Sequence, residues 1–157
     1  MKRKTMKENT PHASNTPNKR YSIAANTILL AWFFLDMIGI YFSDSYLVTR
    51  SWKEDGIFLV IFLIAFLLYI LKEKAGKYFL LIWLFLWSVT QFFSHEWFTI
   101  MGNGEGKIRY FKDAVKWIEC ETRYVPDLYH TILHILIAAA LITTAAFCIR
   151  VRLFRRQ

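Results

Sequence analysis

Four apolar blocks separated by short polar stretches set the pattern of the chain, over 22–42, 56–71, 78–98 and 126–149. At about 1.5 Å per residue, some 20 helical residues cross a hydrocarbon core roughly 30 Å thick. Apolar residues are gathered into these blocks instead of being spread at the period of a surface helix. That pattern predicts helices surrounded by lipid, not the surface helices of a water-soluble domain. The predicted fold class is an all-α integral membrane protein with four transmembrane helices in an up-down bundle. Block 56–71 is short and almost without polar groups, with Trp52 and Tyr69 placed to mark the interface levels. The first block is too long for a signal peptide. It runs into Tyr41-Phe42-Ser43-Asp44-Ser45-Tyr46 with no small-residue cleavage site, so an uncleaved span is expected.

The polar stretches carry the topology. Residues 1–20 hold six basic residues and one acidic one, and their Pro, Asn, Ser and Thr content predicts a disordered cytoplasmic tail ahead of a membrane domain over 21–157. The turn 72–77 has three basic residues against one acidic, and the stretch after Ile149 has four basic and none acidic. The other two flanks lean the opposite way. Residues 43–55, expected as a loop, carry two basic against three acidic, and 95–127 carry five against six. Basic and weakly acidic flanks thus alternate, which predicts both termini in the cytoplasm. Within the last connection, Ile108, Phe111, Val115 and Ile118 fall on one helical stripe. A short amphipathic interfacial helix over 107–122 is therefore expected, between spans three and four.

The formal charge of +8 does not imply nucleic-acid binding, because it is divided among three membrane flanks. Cys120 and Cys148 fall on opposite sides of the membrane in this topology, so no disulfide between them is expected. The glycines of 102–106 lack the preceding strand and following Gly-Lys-Ser/Thr of a phosphate loop.

Candidate chemistry gathers at one level. His130 and His134 lie one above the other on the fourth span, and Asp127 sits three residues before the first of them. Ser88, Gln91 and His95 share a face of the third span, with Glu96 about 100° away. Asp36 is the one carboxylate placed in the middle of a span, and Gly39 and Ser43 continue its face. Counting the helical rise, Asp36 is about 9 Å below the outer surface, and His130 and His134 are about 6 and 12 Å below it.

Three imidazoles and a carboxylate suit a zinc-type site with an open position for water. Such a metal makes hydroxide available for attack on an ester or amide. In that arrangement His95, His130 and His134 are ligands, and Asp36 is a fourth ligand or orients the water. Asp127, Gln91 and Ser88 would support them, with Glu96 and Tyr129 as weaker candidates. The donor pattern is similar to that of membrane ceramide hydrolases, which have more spans. Histidines on different helices also suit haem ligation.

Three functions follow as expectations. The first is a metal-dependent membrane hydrolase acting on membrane lipid or an envelope precursor, in a bacterial inner membrane. The second is an accessory or structural membrane protein in which these residues form an inter-helix polar lock. The third is a small proton-linked transport component, which would have to be a homo-oligomer. A homo-oligomer or a membrane-protein partner is compatible with the first two.

Overall fold

The computed structural model describes residues 17–154. The expected disordered tail therefore lies mostly outside the described residues. Its last part is helical: α1 runs Pro17–Ile38, with Pro17 opening the helix, where a missing N–H costs nothing. Four helices are long and apolar enough to cross a membrane: α1, α2 (Trp52–Leu71), a continuous helical stretch over Glu73–Met101, and α6 (Leu128–Phe154). The third comprises α3 (Glu73–Gln91), a π-helical turn (Phe92–Glu96) and α4 (Trp97–Met101). Each of the four expected spans has such a helix, with ends that differ from the expected ones by a few residues. Helix α1 packs on α2 and α6, and α3 packs on α2 and α6.

Apolar side chains cover the outside of this bundle, while several polar ones are buried inside it. On α2, Ile57, Val60, Ile64 and Leu67 are exposed at helical spacing. Ile82, Phe85 and Phe93 do the same on the third stretch, and Ile135, Ile142 and Ile149 on α6. Buried positions include Ser22, Asn26, Asp36, His95, His130 and Thr144. Such inversion suits lipid as solvent, where hydrogen bonds and close packing join helices and apolar burial gives little. One polar knot joins α1 to α6. Ser22 Oγ and Thr144 Oγ1 are 2.9 Å apart, and Asn26 Nδ2 donates to Thr144 Oγ1 at 3.1 Å. A layer of packed apolar side chains separates the knot from the histidines. Leu29 and Phe33 on α1 belong to it, as do Ile137 and Leu133 on α6, all fully buried.

The connections differ most from expectation. Residues 40–48 form a hairpin of β1 (Ile40–Phe42) and β2 (Ser45–Val48), antiparallel, closed by Ser43 and Asp44 with φ of 46° and 68°. Both turn residues occupy the left-handed region that a two-residue hairpin demands. Ser43 therefore does not continue the face of Asp36. Helix α1 stops at Gly39 (φ 71°), whose N–H returns to Leu35 O at 2.8 Å. The interfacial helix expected over 107–122 is not formed as such. Only α5 (Glu105–Tyr110) is helical there, and residues 111–127 are irregular. The reason is backbone pairing. Tyr46 N–H donates to Asp113 O at 2.8 Å, Val115 N–H to Tyr46 O at 2.9 Å and Leu128 N–H to Val115 O at 3.0 Å. These bonds draw the segment onto β2 and the start of α6, and they outweigh the helical stripe. Phe111, Ala114 and Tyr124 form a small second core under it.

Gly39 and Gly56 make a matched test. A Cβ on Gly39 would meet Arg50 Cβ at 2.9 Å in a backbone region that L side chains avoid, whereas one on Gly56, inside α2, meets nothing within 4 Å. Gly39→Ala is expected to destabilise the protein by about 1–2 kcal/mol, and Gly56→Ala to stabilise it by about 0.5–1 kcal/mol. Thermal unfolding in one detergent should move in opposite directions for the two.

Candidate functional site

The C-terminal end of α1, the N-terminal end of α2, the end of α3 and the start of α6 meet at one level, with α5 over them. They enclose a cavity of about 260 Å³. Asp36, His95 and His130 line it, as the sequence predicted, and so do Ser51, Glu54, Asp55 and Lys107, which it did not single out. Phe33, Phe58 and Phe111 complete the walls. Gln91 faces this cavity and also a second one of about 180 Å³ on the α3–α6 face, shared with Ser88, Glu96 and His134. His134 is therefore turned away from the first cavity.

Each histidine is fixed through its Nδ1. Asp127 immediately precedes α6. Its Oδ1 accepts the His130 backbone N–H at 3.0 Å, which is an N-cap. The same carboxylate takes His130 Nδ1 at 2.8 and 2.9 Å. A carboxylate can only accept, so His130 carries a proton on Nδ1, and in the neutral ring Nε2 is left as an acceptor. His95 Nδ1 lies 2.6 Å from the hydroxyl of Tyr124. Burial holds that phenol well above its ordinary pKa, so its proton stays on. Among the described residues the hydroxyl meets His95 Nδ1, and donating there leaves the neutral ring with its proton on Nε2. The two rings thus have opposite tautomers, one offering a lone pair and the other an N–H. They stack with centroids 4.3 Å apart and planes at 28°. His134 Nδ1 pairs with Glu96, and its Nε2 is 3.3 Å from the side-chain amide of Gln91.

The π turn explains the split between His95 and Glu96. It widens the helix by one residue across 92–96. Glu96 thereby continues the face of Ser88, while His95 turns inward to His130. The 100° offset drawn from a regular helix placed Glu96 outside this group, and the structure places it against His134.

Asp36 and Asp55 line the same cavity where α1 meets α2. Two carboxyl groups packed together out of water cannot both ionise cheaply, so the pair holds one proton between them. Asp36 is 1% exposed, and its Oδ1 is buried without a partner. Lys107 on α5 stands over the rings of Tyr124 at 5.6 Å, Phe98 at 5.8 Å and Phe111 at 6.0 Å. Burial pulls its ammonium below the usual lysine range, and attraction from Asp55 and Asp127 opposes that.

The expected four-ligand set of His95, His130, His134 and Asp36 is not assembled. Ligands of one tetrahedral ion aim at a common centre from directions about 109° apart. Here two rings stack nearly parallel and the third faces another cavity. Among the described residues, no group of three or more His, Cys, Asp or Glu side chains is arranged to hold a metal ion. Rings 4.3 Å apart also leave no space for a haem between them. Cys120 and Cys148 are both free, as expected.

Asp55 and Glu54 were legible only as charges beside an apolar block. The available signal was their place in the first turn of α2, level with Asp36 on the neighbouring helix. Tyr124 and Lys107 carried no signal, since irregular chain brings them to the site. Compared with protein-family models, curated proteins and solved structures, the chain finds no match.

Asp127 is predicted to do two separable things. Asp127→Ala should lose the cap, about 1 kcal/mol, and also release the His130 ring. Asp127→Asn should keep most of the cap. Nitrogen-15 spectra of labelled histidine should show His130 unprotonated at Nε2 in the native chain, and a mixture of tautomers in Asp127→Asn.

Proposed function

We propose that the protein is a membrane-embedded hydrolase that cleaves an ester or amide of a lipid or envelope precursor by acid–base chemistry, without using the His95, His130, His134 and Asp36 set as a metal centre. The observation that carries this is the stacked pair of rings, His130 held by Asp127 and His95 by Tyr124, lining one cavity with the carboxyls of Asp36 and Asp55. His130 Nε2 takes a proton from a water molecule, and Asp127 holds the resulting imidazolium. The water oxygen adds to the substrate carbonyl. Charge developing on the carbonyl oxygen meets His95 Nε2–H and the Lys107 ammonium. As the carbonyl–heteroatom bond breaks, the proton shared by Asp36 and Asp55 passes to the leaving group. The proton on His130 then returns to the carboxyl pair, and the site is restored.

The alternation of flank charge supports four crossings in an up-down bundle with both termini in the cytoplasm. The cavity then opens in the outer half of the bilayer, toward the periplasmic side of a bacterial inner membrane. Reporter fusions should read the turn at Lys72 as cytoplasmic and Gly104 as external. The reverse result would put the cavity on the cytoplasmic side.

The direct test incubates purified protein in nanodiscs made from bacterial polar lipid and follows products by mass spectrometry. Hydrolysis is expected, and His130→Gln should slow it by about 10²–10⁴-fold, the usual weight of a general base. The rate should also fall on the alkaline side at a pH below that of an ordinary lysine, and Lys107→Arg should move that limb upward. Full activity in His130→Gln, or none in the native chain, defeats the proposal.

A second reading is favoured by the side-chain bonds that cross between helices. His134 to Glu96 and to Gln91, and Trp32 Nε1 to Tyr129 O at 3.3 Å, join neighbouring helices as an inter-helix polar lock would. In an accessory protein of that kind, His134→Ala and His130→Gln would each lower the unfolding temperature, and no turnover would be seen in any variant.

A further inference from the structure

The cavity has two electrical poles. Asp36, Asp55 and Glu54 lie where α1 meets α2, and Lys107 comes over from α5. Glu54 is exposed at the mouth, Asp55 is half-buried and Asp36 is 1% exposed. The order leads inward from water to an unpartnered oxygen, Asp36 Oδ1. An acceptor buried without a donor costs stability unless a ligand supplies one. Phe33 and Phe58 stand beside these carboxyls, and their ring faces favour a cation. At about 260 Å³ the space is below the roughly 300–1,000 Å³ of sites for drug-sized molecules. It holds a small polar group, not acyl chains.

We propose that the site selects a zwitterionic headgroup bearing a primary ammonium, which donates to Asp36 and Asp55 while the headgroup's anionic oxygens face Lys107. This rests on the reading of the cavity as a substrate site, and it names the substrate class. A primary ammonium has three N–H donors, and one of them answers Asp36 Oδ1. A trimethylammonium has none, so charge alone does not satisfy the pair. A pair that holds one proton carries a single negative charge, which balances the ammonium and leaves the proton in place for the leaving group. The groups facing that pair are Glu54, Lys107, Asp127 and His130.

The test measures binding, with the full chain in nanodiscs of phosphatidylcholine. Phosphatidylethanolamine or phosphatidylglycerol is doped in, and free phosphoethanolamine is added in a separate arm. Native mass spectrometry reads retained lipid or amine, and thermal unfolding gives a second readout. Phosphatidylethanolamine is expected to be retained over the other two lipids by at least about tenfold, the scale of a charge-assisted hydrogen bond. Asp36→Asn should abolish that preference. Should Asp36→Asn fail to fold, Asp55→Asn and the exposed Glu54→Gln serve instead, with weaker retention expected for each. Binding of free phosphoethanolamine without preference for the lipid would keep the ammonium site and assign it a soluble ligand. Equal retention of all three lipids with no binding of the free amine overturns the proposal, as does preference for phosphatidylglycerol. Selective retention without turnover would defeat the hydrolase reading alone, whereas turnover without headgroup preference would defeat this inference alone.

Discussion

A carboxyl group enclosed by apolar helices has to be matched, because lipid offers it nothing. Asp36 meets Asp55 at one cavity, and its Oδ1 is left without a partner. That meeting ties α1 to α2, since it holds only if the end of the first helix lies level with the first turn of the second. Ser51 reinforces the register through its N–H to Asp36 O at 3.0 Å. Ser51, Glu54, His95, Lys107 and His130 are arranged around the space that the pair faces.

The histidines obey the same requirement. His95, His130 and His134 would each be costly in an apolar surround, and each is tied through Nδ1 to a side-chain oxygen, His134 through Nε2 as well. Asp127 serves both the backbone of α6 and the ring of His130, so the start of that helix and the orientation of the imidazole cannot vary independently. The arrangement is stiff where it supports the rings and open where Nε2 of His130 and His95 meet the cavity.

The spans were legible because length and all-round apolarity are properties of continuous sequence. The level of Asp36, His95 and His130 was legible for a related reason, since helical rise converts residue number into depth. His134 and Glu96 were misjudged because a π turn breaks the regular rise in a way that Phe92-Phe93-Ser94-His95-Glu96 does not announce. The hairpin was within reach. Ile40-Tyr41-Phe42 and Tyr46-Leu47-Val48 are strand formers around a polar pair, but Ser-Asp is a weaker turn signal than Asn-Gly. Tyr124 and Lys107 arrive through irregular chain, where no period connects position in sequence to position in space.

The roof of the cavity is joined to the hairpin by peptide groups: Tyr46 to Asp113 and Val115, and Val115 onward to Leu128. Main-chain bonds are indifferent to which side chains the paired residues carry. Homologous chains can therefore keep this path of the backbone while residues 112–123, the buried Ala114 apart, change identity. Kinship in that stretch would survive as shape long after it had faded as spelling.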